Sequence, residues 1–318
     1  MPTISDVLSI SFKTIKDVGT LSLVPAIAIL LSVSASGAGE VEKTSNGVCD
    51  FTYSGQVDLN DLEKIRLSGI AFGSGLCLDS PGGVFIEGVR IAEWLVEAGV
   101  KTVIAPGASC YSACAIAFMG GGFFEDAYFP QRELYAGGQL GFHAPYPVTS
   151  VKNYTSEELS LAYHFGLESV AKMMTLGMLD SNDKGFIPTS VILELLKMPP
   201  NKLYMINTGA RIRKLSIDYK GLNPMVWENR DIMNACSSVM GEDGSSKSPS
   251  QNPAMKIQNA EGSLDLWYEG YGAEASGFCV FRSLRDGTKM VAVPVWDSDD
   301  LIDSTFVPIT EADALTSD

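Results

Sequence analysis

The sequence predicts a layered α/β domain followed by a small β-rich extension, on three observations. Between residue 51 and about residue 222, short apolar runs bounded by glycine alternate with amphipathic helical runs, as in βαβ units. Beyond residue 241 a polar loop, residues 241–253, leads into segments of strand character. The chain has 318 residues, 46% of them hydrophobic and 19% charged, long enough to bury a core and too apolar to be disordered as a whole.

The first forty residues stand apart. Lys13 and Lys16 precede an apolar stretch at residues 21–33, and small residues 34–38 follow, the order of a secretory signal. Residues 1–38 are therefore predicted to direct export to the periplasm or the medium, with cleavage near Ala35 or Ala38. The alternative is an uncleaved membrane anchor, since no charge occurs from Val18 to Gly39. Pro25 and the shortness of the apolar core oppose it, because a spanning helix needs about 20 predominantly apolar residues.

Residues 51–56 read as a strand, and Asp58 as the cap of a short helix running to Ile65. Residues 75–78 and 102–105 suit buried parallel strands. Between them residues 85–98 are helical, with Glu87, Arg90, Glu93 and Glu97 on a polar stripe, Gly88, Ile91, Ala92 and Leu95 on an apolar one, and Gly99 as the stop. A second short helix is predicted at 112–119 and the end of another strand at 139–143. Thr155 and Glu158 form a capping box that opens a long helix whose apolar stripe includes Leu159, Ala162, Tyr163, Gly166, Val170, Met173 and Met174. A break at 185–188 precedes a helix at 190–197, which Pro199-Pro200 ends. In the extension, from residue 223 to 318, strands are predicted at 264–268, 278–283 and 289–295, the last two joined by a turn at Arg285-Asp-Gly287.

Charge and composition exclude several functions. Lys plus Arg number 23 against 38 Asp plus Glu, and a net charge of -15 would repel a nucleic-acid backbone, so no nucleic-acid partner is expected. With only His143 and His164, and no paired C-x-x-C, no metal site is expected. All six cysteines lie beyond the export segment, where an oxidising compartment favours disulfides. Fifteen connectivities are open to six cysteines. The four-residue spacing of Cys110 and Cys114 at a helix start fits the usual Cα separation of about 4.4–6.8 Å, so a local disulfide is predicted there, with Cys236 and Cys279 pairing in the extension. Two buried free cysteines at 110 and 114 are the alternative.

Three segments carry candidate chemistry. Ser80-Pro-Gly-Gly83 joins a strand to a helix, and glycine amides there can face inward as an oxyanion hole or phosphate cradle, or merely shape the turn. Ser112 stands where a strand gives way to a helix, either as a nucleophile near the positive helix end or as an ordinary N-cap. His143 ends an apolar strand, either facing a cleft or hydrogen-bonded in the core. His164 falls on the polar stripe of its helix and reads as a surface residue.

Taken together, Ser80-Pro-Gly-Gly83, Cys110-Tyr-Ser-Ala-Cys114 and Gly141-Phe-His143 resemble, in order and interval, motifs of the Clp protease proteolytic subunit and the wider ClpP/crotonase superfamily. The likeness spans residues 51 to about 222 and is closest to exported ClpP-like proteins. It implies a ClpP/crotonase-like ββα spiral, with Ser112 as nucleophile, His143 as general base, and the Gly83 and Ala113 amides as oxyanion hole. Where the protease family carries an Asp after the long helix, this chain has Asn201, which can orient an imidazole but cannot stabilise imidazolium by charge. Asp180 and Asp183 are spare carboxylates nearby in sequence.

The resulting expectation is an exported serine peptidase, using Ser112, His143 and Asn201, with no cofactor. A peptide or protein substrate and a homo-oligomer are implied by the resemblance. No ATPase partner is expected outside the cytoplasm, and acyl-CoA, the ligand of the crotonase branch, is equally out of place there. The second reading is a non-catalytic ClpP-like module that binds a peptide or protein. A third, a thiol nucleophile at Cys110 or Cys114, is silenced if the two are bonded.

Overall fold

The computed structural model describes residues 37–44, 47–145, 154–177, 187–199, 202–241, 252–271, 277–292 and 306–316. Most of the predicted export segment, Asp180, Asp183, Asn201 and most of the polar loop at 241–253 lie outside the described residues. What is described is a mixed α/β fold with several sheets.

The chain opens with β1 (Glu40–Lys43) and β2 (Phe51–Ser54), then alternates through α1 (Asp61–Leu67), β3 (Gly75–Asp79), α2 (Phe85–Ala98) and β4 (Lys101–Ile104). Next come β5 (Ser109–Tyr111), α3 (Ala113–Phe118), the hairpin β6 (Gly122–Phe124) and β7 (Tyr128–Pro130), β8 (Arg132–Tyr135) and β9 (Gln139–Phe142). The α/β part ends with α4 (Ser156–Gly177), α5 (Thr189–Lys197), β10 (Tyr204–Met205), α6 (Gly209–Lys214) and β11 (Asp218–Lys220). A six-stranded sheet runs β1-β2-β3-β4-β8-β11, parallel throughout except between β1 and β2. On its central strands Leu76, Leu78 and Ile104 are buried together with Val89, Ile91 and Leu95 of α2, while Cys77 and Val103 are buried with Cys49 in a second cluster. A three-stranded sheet, β10-β9-β5, is joined to the chain leaving β3 by a parallel bridge between Ser80 and Cys110.

Several helix signals appear where predicted. Gly99 ends α2 in the left-handed conformation, its N–H donating back to Leu95 and Val96. The Thr155 and Glu158 box is formed, with reciprocal bonds of 2.8 and 3.2 Å between backbone N–H and side-chain oxygen. Two readings need correction. Asp58 does not cap α1: Asn60 holds the N-cap position, and Asp58 accepts from the adjacent Leu59 N–H. The organising carboxylate is Asp61, fully buried, which receives the Tyr53 hydroxyl, the Asp58 N–H and the Lys64 ammonium at 2.6–2.8 Å. Burial, the bond to Asp61 and that negative charge hold the Tyr53 hydroxyl well above the ordinary tyrosine range.

Glu87 is the second correction. Predicted on a solvated stripe, it is completely buried, accepting the Leu62 N–H at 2.9 Å and pairing with Arg90 at 2.7 Å. The first turn of α1 has amides with no intrahelical partner, and Glu87 satisfies one of them. On α4, conversely, Leu159 and Tyr163 of the apolar stripe are 58% and 70% exposed; the helix reaches α2 through a Lys172–Glu93 pair of 2.7 Å.

Among the described residues the extension contains one α-helix, α7 (Asn229–Val239), and an antiparallel sheet of β12 (Met255–Gln258), β13 (Leu264–Tyr271), β14 (Gly277–Ser283), β15 (Lys289–Ala292) and β16 (Val307–Ile309) in sequential order. The turn at 285–287 is closed by the Leu284 N–H donating to the Thr288 carbonyl at 2.9 Å. The strand predicted at 289–295 is described only to Ala292. Ile232, Met233 and Cys236 of α7 pack on Tyr268, Cys279, Phe281 and Val291 of the sheet. Burial pushes the Tyr268 hydroxyl up to about 12. A short 3-10 turn, Glu311–Ala314, then returns to α6: Arg213 pairs with Asp313 at 2.7 Å, and the Gly209 N–H donates to the Leu315 carbonyl at 2.9 Å.

All six cysteines are bonded, as Cys49–Cys77, Cys110–Cys114 and Cys236–Cys279. The latter two are the predicted pairs, and the free-cysteine alternative is set aside. Three disulfides fit an exported protein in an oxidising compartment. Among the described residues no helix is long and apolar enough to cross a membrane.

Candidate functional site

Ser112 occupies a single-residue elbow between β5 and α3, at φ 56° and ψ −121°. A serine in this region costs about 1–3 kcal/mol, and persists only where its surroundings hold it. They do so from three sides. The Ser112 N–H donates to the Gly141 carbonyl at 3.0 Å, its own carbonyl accepts the Ile116 N–H at 3.1 Å, and the Cys110–Cys114 disulfide closes the chain around it. Ser112 is the N-cap residue of α3, as its alternative reading has it, but its side chain makes no capping bond. The serine is half-buried, whereas both cysteines are enclosed.

Facing the elbow is the Ser80-Pro-Gly-Gly83 turn. Gly82 has φ 95°, and a Cβ on it would fall 2.6 Å from the Ser112 Cβ and 3.2 Å from the Ala113 nitrogen. Only glycine fits so close an approach at positive φ. Gly83, at φ 150°, is equally constrained, since its Cβ would overlap the Val57 carbonyl. The turn is fastened to Val57 on both sides, the Val57 N–H donating to the Gly82 carbonyl and the Val84 N–H to the Val57 carbonyl, each at 2.8 Å. Of the predicted oxyanion donors, Ala113 follows Ser112 directly and Gly83 follows the glycine that packs against it. Ala113 is the first residue of α3, where an amide has no intrahelical acceptor.

His143 follows β9 directly. β5 and β9 run parallel, with Cys110 opposite Leu140 and Tyr111 opposite Gly141, so Ser112 and His143 leave the same end of one strand pair. The imidazole is half-buried, and its Nδ1 lies 2.8 Å from the Ala144 carbonyl. A carbonyl only accepts, so in this contact Nδ1 is the donor. β10 lies antiparallel on the other side of β9, Tyr204 opposite Phe142, so continuing the register sets Leu203 beside His143. Asn201, two residues earlier, is outside the described residues. His164 is exposed on α4, as predicted.

Three supporting groups were not singled out from the sequence. Ser80 is buried at the end of β3; Asp79 accepts the Ser109 N–H at 3.0 Å; and the Tyr111 hydroxyl donates to Gln139. A serine two residues before glycine is the available signal for the first, because its hydroxyl can accept from that amide. Among the described residues no group of His, Cys, Asp and Glu could hold a metal ion. A half-buried serine on a strained elbow, a glycine turn facing it and a histidine leaving the same end of the strand pair are residue types that acyl transfer uses. No protein-family model and no curated protein matches the chain.

Proposed function

We propose that the chain is an exported serine hydrolase, a peptidase of ClpP-like fold, in which Ser112 attacks a carbonyl carbon, His143 takes its proton and the Gly83 and Ala113 amides hold the resulting oxyanion. The observation that carries this reading is Ser112 itself, held at positive φ with no side-chain capping bond, against the Gly82-Gly83 turn and bonded through its N–H to the strand that leads into His143. Strain of this kind clusters at functional sites. The parallel β2-β3-β4-β8-β11 array crossed by α1 and α2 supports the ClpP/crotonase-like spiral as its architecture. Peptides or proteins are the proposed substrates, without cofactor or ATPase partner, on a homo-oligomer.

The test is labelling of the oxidised, processed protein with a fluorophosphonate. The expected result is a single phosphonylated serine at 112, absent from Ser112→Ala. Loss of the attacking oxygen should cost at least the roughly 10²–10³-fold typical of one oxyanion donor. Wild-type protein that is folded yet unlabelled would refute the enzyme reading. The non-catalytic binding module would then stand, a reading favoured by Asn201 at the position of the family's Asp.

A further inference from the structure

We infer that Ser80 is a positioning residue for the oxyanion hole, its hydroxyl selecting the Gly83 amide as the donor offered to substrate. This rests on the serine-hydrolase reading above. An account of every amide in Ser80-Pro-Gly-Gly83 leads to it. The Ser80 N–H donates to the Ser109 carbonyl at 2.7 Å. Pro81 has no N–H. The Gly82 N–H donates to the Ser80 Oγ at 3.1 Å. That leaves the Gly83 N–H as the amide of the turn without an acceptor among the described residues, and it belongs to an exposed residue. A buried backbone donor is nearly always paired, so the one left open on the surface of a rigid turn is the one available to a ligand.

Ser80 also ties this turn to the nucleophile. Its carbonyl accepts the Tyr111 N–H at 3.1 Å, so the residue is bonded to both neighbours of Cys110 on the strand that ends at Ser112. The side chain is 1% exposed and cannot touch substrate. Its effect is therefore indirect. Without the hydroxyl, Gly82 has a second open N–H beside the first, and the peptide between Gly82 and Gly83 loses the bond that fixes its tilt. The oxyanion forms only in the transition state, so the loss should fall on kcat and leave KM for a small ester unchanged.

The experiment compares wild type, Ser80→Ala, Ser80→Thr and Ser80→Val as full-length, processed, oxidised proteins, using p-nitrophenyl butyrate hydrolysis and fluorophosphonate labelling, with melting as a check on folding. We expect Ser80→Ala to lose about 10- to 100-fold in kcat at constant KM, less than outright removal of a donor, and to slow labelling in parallel. Ser80→Thr keeps the hydroxyl and should stay within about threefold of wild type, while the isosteric Ser80→Val falls with Ala. If Ser80→Ala fails to fold, the Thr and Val pair makes the same comparison. Equal kcat in a folded hydroxyl-lacking variant, or an unchanged kcat with raised KM, overturns the positioning role alone. A wild type that neither labels nor turns over overturns the hydrolase reading and this role with it.

Discussion

Cys110 and Cys114 are bonded across Ser112, their Cα atoms 5.2 Å apart. The strand residue two before the elbow and the second residue of the helix after it are thereby joined, and the serine between them has little freedom to relax its φ. Strain of about 1–3 kcal/mol has something to hold it. Replacing both cysteines by alanine should therefore slow fluorophosphonate labelling of Ser112 by roughly tenfold, the consequence of about 1.4 kcal/mol. Labelling half-times of the double variant and wild type provide the measurement; identical half-times would show that the elbow holds without the bond.

Asn201 sets a second expectation. If it orients His143, Asn201→Asp should raise the rate of ester hydrolysis by adding a charge that favours the imidazolium, and Asn201→Ala should lower it. Initial rates for the three proteins on one ester decide the matter. Three equal rates would leave the Ala144 carbonyl as the sufficient partner of Nδ1.

Processing has a structural preference. The Gly37 carbonyl accepts the Gln56 N–H at 3.0 Å, and Ala38 forms a β-bridge with the same residue. Cleavage after Ala35 preserves both contacts, whereas cleavage after Ala38 removes them. The mature chain is expected to begin at Ser36, as read by intact mass of the exported protein. A start at Gly39 would contradict this.

Buried Glu87 predicts a stability effect remote from the elbow. Glu87→Ala leaves the Leu62 N–H without its acceptor and Arg90 without its partner, a loss of about 2–4 kcal/mol. Glu87→Gln retains an acceptor and should lose less. Urea midpoints at constant m-value separate the two; a neutral Glu87→Ala would mean that water replaces the carboxylate.

Acid should loosen the extension. Burial works against the Asp265 carboxylate, but hydrogen bonds from Arg282 and Asn259 and the Arg282 charge outweigh it and hold the carboxyl below the ordinary range. A carboxyl lowered on folding contributes stability that is complete above its unfolded value, about 3.9, and is lost as pH falls through the lower folded value. Thermal melts should therefore show a decline that sets in below about pH 4, and Asp265→Asn should be less stable at neutral pH with a shallower decline. Parallel curves for the two proteins would exclude the Asp265–Arg282 pair as a cause.

Much of this was legible before any coordinates. Glycines and a capping box mark where helices stop and start through local geometry, and Gly99 and Thr155 act as their residue types dictate. Ser112, Gly83 and Ala113 are singled out by the order of their motifs along the chain, and of these the strained backbone at Ser112 is what the structure adds. Glu87 was misassigned because a helical wheel reports polarity and not what lies above it; here α1 covers the stripe and supplies a donor. α7 went unread because Asn, Arg, Asp and Ser outnumber its apolar residues, and its buried face is evident only against Tyr268 and Phe281. Cys49–Cys77 joins residues 28 apart, a pairing that spacing could not select from fifteen.

The clasp between Arg213 and Asp313 spans 100 residues of chain. A polypeptide threaded outward from its amino end presents α6 long before the 3-10 turn that covers it, so Ala210 and Ile212, buried in the finished molecule, have no lid during that interval. The elbow, the glycine turn and β9 are by then already out, and their contacts are comparatively local. The architecture thus separates two clocks: the half that holds the candidate site can organise early, while the last contacts of the first domain wait for the final segment of the second to arrive.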